Sequence, residues 1–97
     1  MFERIILFKL EDPNSRREVA ALSVAALQDL PEVEELSVGV PADLASEKSW
    51  DLSVVIGAHS LALLDNLLES EAFKGYLEQT MKGRYQVVKA WSFERLD

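Results

Sequence analysis

The stretch Phe2-Glu3-Arg4-Ile5-Ile6-Leu7-Phe8-Lys9-Leu10 decides the fold. Successive side chains of a strand alternate between faces, so Arg4, Ile6 and Phe8 fall on one side and Ile5 and Leu7 on the other. Glu11-Asp12-Pro13-Asn14 then reads as a turn. A strand that is apolar on both sides belongs inside a sheet whose two faces are both covered.

Working outward, Ser15 with Glu18 three residues later reads as a capping box. Val19, Leu22, Ala26 and Leu30 recur at helical spacing from there until Pro31. Leu36, Val38 and Val40 alternate with Glu35, Ser37 and Gly39, which predicts a strand closed by Pro41. The segment from Ala42 to Ser49 is polar and without period, so it reads as a loop. Trp50, Leu52, Val54 and Ile56 alternate with Asp51, Ser53, Val55 and Gly57 in a third strand. Ser60 can cap a helix carrying Leu61, Leu64, Leu67 and Leu68, and Ser70 another carrying Phe73, Leu77 and Met81, with Gly83 placed to end it. From Arg84 to Phe93, Tyr85, Val87, Lys89, Trp91 and Phe93 alternate with Gln86, Val88, Ala90 and Ser92 in a last strand.

The order strand, helix, strand, strand, helix, strand is that of an α+β, ferredoxin-like βαββαβ domain. It predicts a four-stranded antiparallel sheet with helices on one face, and residues 1–97 as a single domain. The other face would carry Ile5, Leu7 and Val55. At roughly 25 cal/mol per Å² of apolar area, leaving several such side chains wet forfeits a few kcal/mol, comparable with the stability of a small domain. A second copy packed face to face is the simplest cover, with Ile5, Leu7 and Val55 at the seam.

Composition narrows the function classes. The chain has 97 residues, and one so short buries only about two-thirds of its unfolded surface, which disfavours a large internal cavity. Ten basic residues are scattered among seventeen acidic ones, for a net charge of −7, which argues against nucleic acid and anionic membranes as partners. There is no cysteine, hence no disulfide, no thiolate nucleophile and no thiolate-bound zinc. The apolar run near the start is too short for a membrane span or a signal peptide, and a cytoplasmic location is the expectation.

Arg4 to Leu10, Leu30-Pro31-Glu32-Val33 leading into Val38-Gly39, Trp50-Asp51-Leu52-Ser53-Val54-Val55, and the Leu-rich helix entering Leu77 together resemble the stress-responsive dimeric α/β-barrel (Dabb) family, nearly end to end. The resemblance implies two sheets closing into a barrel across a dimer axis. Family members usually place a histidine where this chain has Arg4, and a His-Pro-x-His segment where it reads Ser70-Glu71-Ala72-Phe73. In polyketide-cyclase-like relatives a tyrosine and a further histidine fall at Leu67 and Leu52. Leucine and phenylalanine cannot act as general acid or base, so the resemblance carries the fold without the family's acid–base groups.

The candidate ligand site implied by the resemblance lies between sheet and helices and comprises Arg4, Phe8, Trp50, Leu52, Leu67, Phe73 and Tyr76. Arg4 would clamp a carboxylate or phosphate, or else pair with a nearby acid. Tyr76 and Tyr85 could each offer a phenol. His59, the one histidine, stands just before the Ser60 cap, where a capping or loop role is expected. Glu32, Glu34 and Glu35, and Glu69 with Glu71, form small acidic clusters that read as solvated surface, and no metal or cofactor is expected. No Gly-x-Ser-x-Gly elbow is present. These features predict a homodimer without catalytic residues that binds a small, mainly apolar molecule or serves as an interaction module. The alternatives are a cofactor-free cyclase, isomerase or monooxygenase-like enzyme in which Arg4 stabilises an enolate, and a regulatory ligand-sensing domain.

Overall fold

The computed structural model describes all of residues 1–97. Its elements are β1 (Phe2–Leu10), a 3₁₀ turn (Pro13–Ser15), α1 (Arg16–Leu27), β2 (Glu35–Gly39), α2 (Leu44–Ser49), β3 (Leu52–Ala58), α3 (Leu61–Glu69), α4 (Glu71–Gly75), a wide π turn (Tyr76–Thr80) and β4 (Tyr85–Glu94). The four strands form one antiparallel sheet in the order β2-β3-β1-β4, with the quoted stretch as an inner strand. The ferredoxin-like reading therefore stands.

Register fixes which residues share a face. Ile5 lies opposite Val55 on β3 and Trp91 on β4, and Leu7 opposite Ser53 and Lys89. Arg4, Ile6 and Phe8 face the helices beside Ile56, Val54 and Leu52. Ile6, Phe8, Leu10, Leu52, Val54 and Ile56 are fully buried there, joined by Val19 and Leu27 of α1, Leu64 and Leu67 of α3, and Phe73, Tyr76 and Met81. A shift in register at Lys9/Leu10 brings Tyr85 opposite Leu10, and its ring meets that of Phe8 edge-on with centroids 5.4 Å apart.

Four local expectations are corrected. Ser15 makes no cap hydrogen bond to α1; its hydroxyl donates to the Asp12 carbonyl at 2.7 Å, while the Asp12 carboxylate takes the Asn14 N–H at 2.9 Å and caps the 3₁₀ turn instead. The stripe of α1 runs through Val19, Ser23 and Leu27, with a polar residue at its centre. The supposed loop contains α2, capped by Asp43, whose carboxylate accepts the Ser46 N–H at 2.8 Å. All six α2 residues are exposed, so there was no apolar period to read. Trp50 belongs to the end of that helix, donating its N–H to the Ser46 carbonyl at 2.9 Å, and β3 begins two residues later.

The caps at Ser60 and Ser70 are present: their hydroxyls accept the N–H groups of Leu63 and Phe73, each at 3.1 Å. Past Gly75 the helix widens, and the Met81 N–H reaches the Tyr76 carbonyl at 2.9 Å. Gly83 has φ of 79°, the left-handed conformation that turns the chain into β4 and that a Cβ disfavours. No helix is long and apolar enough to cross a membrane.

Candidate functional site

Five of the seven candidate pocket residues meet between sheet and helices: Phe8, Leu52, Leu67, Phe73 and Tyr76 are all buried members of one core cluster. Their packing explains the meeting. Tyr76 stands edge-on to Phe8 at 6.4 Å between centroids and tilted against Phe73 at 6.1 Å. Its hydroxyl shares a 2.8 Å hydrogen bond with Ser23 Oγ. Burial pushes the phenol up to about 12, against a smaller opposing effect of the Ser23 bond. At neutral pH the group is a locked, protonated hydrogen-bonding partner, poorly suited to exchange protons with a substrate. Ser23 was not anticipated from sequence; the one signal was a hydroxyl in the buried register of α1.

Arg4 is at the edge of this core, partly buried, between Ile56 and Ser92. Its Nη1 donates to Ser92 Oγ at 3.1 Å, and its Nε is buried without a partner. It takes part in none of the chain's ion pairs. A buried guanidinium N–H costs free energy until it is hydrogen-bonded, and an anionic group would be bound in preference to a neutral one.

The other notable arginines are occupied. Arg16 grips the buried Asp51 through Nε at 3.0 Å and Nη2 at 2.6 Å, while the second Asp51 oxygen accepts the Leu10 N–H at 2.8 Å. This ties the end of β1 to the start of α1. Arg95 reaches Glu3 at 2.8 Å and Glu35 at 2.9 Å, and both bonds push its already high pKa further up. Glu34 contacts the exposed His59 at 3.0 Å, so two members of the first acidic cluster are engaged by cationic or polar side chains. No group of three or more acidic, histidine or cysteine side chains converges.

Trp50 is brought elsewhere. It lines a cleft of about 510 Å³ at the end of the sheet where β2 stops and β3 starts, with Leu7, Val40, Pro41, Ala42, Leu52, Ser53 and three residues of α2. The sheet face that carries Leu7 continues through the partly buried Ile5 and Val55 to Val87, Trp91 and Phe93 on β4, which are 42%, 46% and 54% exposed. Trp91 and Phe93, beside the partly buried Ile5 and Val55, make an apolar patch, which Lys89 separates from Val87. Sequence alternation placed them together, although β4 was not singled out at the seam.

No protein-family model matches the sequence, and no curated protein matches it. Solved structures do. A Dabb family protein with a ferredoxin-like fold from Mesorhizobium loti superposes with a TM-score of 0.81 at 6% identity, covering 99% of this chain and 97% of that one. A dimeric ferredoxin-like protein of unknown function from Thermobifida fusca gives 0.76 at 18% identity, covering 95% and 88%. HapK from Hahella chejuensis gives 0.73 at 26% identity, covering 99% and 93%. The resemblance noted in the sequence is thus met in three dimensions at the level of the fold: the chain has a ferredoxin-like fold, similar to that of the Dabb family protein.

Proposed function

We propose that residues 1–97 act as one domain that pairs face to face with a second copy into an α/β barrel, carries no catalytic group of its own, and binds a small, mainly apolar molecule. The observation that carries the dimer is the helix-free sheet face, where Trp91 and Phe93 are about half exposed beside Ile5, Leu7 and Val55. A twofold axis buries that patch against itself, so the exposed aromatics of each copy are covered by the other. The dimeric state of the Thermobifida fusca neighbour supports the same reading. The acidic composition and lack of cysteine fit a cytoplasmic protein with neither nucleic acid nor membrane as partner.

The non-catalytic reading is supported by Tyr76, held protonated against Ser23, and by His59, which is exposed and paired with Glu34 outside the core. Light scattering at micromolar concentration tests the assembly: a mass near twice the chain's 10.9 kDa is expected, and a monomer would refute it. One second reading has an observation in its favour. The unpartnered Nε of Arg4 suits an enolate or carboxylate, as a cofactor-free enzyme of the wider barrel group would need. Turnover of polyketide- or quinone-like substrates that Arg4→Ala abolishes would establish that reading instead.

A further inference from the structure

Resting on the small-molecule reading above, we infer that the ligand site is the cleft between Trp50, α2 and the adjoining ends of β1 and β3, at the margin of the face that pairs and on the far side of Leu7 from Trp91 and Phe93, and that it takes a neutral, largely apolar ring compound. The slot expected between sheet and helices is occupied by Phe8, Leu52, Leu67, Phe73 and Tyr76 themselves, each 5% exposed or less. Interiors pack to near crystal density, and these side chains leave little room for a ligand among them. The cleft beside Trp50 has about 510 Å³, within the range of roughly 300–1,000 Å³ that holds small organic ligands.

The lining sets the ligand chemistry. Of ten residues, six are hydrophobic and none is charged, in a chain where more than a quarter of the residues are charged. An ionic ligand would lose its water and gain no counter-charge, so a neutral one is selected. The polar atoms available are hydroxyls, from Ser46, Ser49 and Ser53. Gly39 keeps the Ser53 hydroxyl accessible, since a Cβ at that position would stand 3.1 Å from Ser53 Oγ. A ring with one hydroxyl or carbonyl could stack on the Trp50 indole and bond to a serine. Trp50 is held for this by its backbone bond to Ser46 and by α2, whose Asp43 cap fixes the start of the helix.

The test uses Nile red, a neutral aromatic dye, with the full chain carrying Trp91→Phe so that Trp50 is the sole indole. Saturable binding with quenching of Trp50 emission is expected. Ala45→Phe and Ser49→Phe, two substitutions at exposed α2 positions that fill the cleft, should each weaken binding at least tenfold while circular dichroism stays unchanged. Using both guards against one of them unfolding α2. Unaltered dye affinity in both filled variants, or loss of binding on Arg4→Ala instead, would overturn the cleft and leave small-molecule binding standing. Absence of saturable binding in the parent protein would overturn both.

Discussion

Replacing Trp91 by serine removes the largest exposed side chain of the helix-free face without touching the core. An indole presents up to about 250 Å² to its surroundings. With Trp91 46% exposed, roughly 115 Å² per copy remains to be covered, worth about 3 kcal/mol at roughly 25 cal/mol per Å². A twofold interface loses the side chain twice, so the ceiling is about 6 kcal/mol; if rim water keeps a third of each ring wet, about 4 kcal/mol is lost. The dimer dissociation constant should therefore rise by roughly a thousandfold or more. Sedimentation equilibrium over a concentration series reads this directly, and thermal melting at low concentration should show the monomer still folded. A dissociation constant within threefold of the parent's would refute the argument that this face pairs.

Other expectations concern the monomer. Asp51→Ala leaves Arg16 only its 3.4 Å contact with Glu47 and strands the Leu10 N–H; because Arg16 keeps that partner and 21% exposure, the loss should sit near about 3 kcal/mol, read by urea denaturation. Gly83→Ala places a Cβ at φ 79° and should cost about 1–2 kcal/mol, whereas Gly75→Ala, in open space within a helix, should stabilise slightly. Tyr76 ties stability to alkaline pH. Its phenol is raised from 10.0 to about 12 in the folded state, so its contribution is complete below pH 10 and is lost as pH climbs through 12. Melting temperature against pH should fall in that window, and Tyr76→Phe should flatten that part of the fall while costing about 1 kcal/mol at neutral pH through the lost Ser23 bond.

Alternation and helical spacing carried most of the fold, because burial on a sheet or helix leaves a period in the sequence. Ile6 and Phe8 against Ile5 and Leu7 assigned both faces of β1 correctly, and the Ser60 and Ser70 caps sat at the starts of α3 and α4. What failed to show were features that bury nothing or bury something polar. The exposed α2 has no apolar stripe, and its one local signal was Asp43 three residues before Ser46. Its omission moved Trp50 into the wrong element and concealed the cleft. Ser23 and Asp51 are buried because of long-range partners, Tyr76 and Arg16, 53 and 35 residues away in the chain, and no local pattern announces such pairs.

The pairing of helix-free faces is tested most directly by the surroundings of Trp91 itself. In a Trp50→Phe variant, Trp91 is the only fluorophore of its kind, and acrylamide quenching measures how far solvent reaches it. The dimer account predicts a blue-shifted, protected indole at tens of micromolar that becomes red-shifted and readily quenched on dilution, with the two changes tracking the loss of mass in sedimentation. An indole equally exposed at every concentration would contradict it, even in a protein that proved dimeric by some other surface.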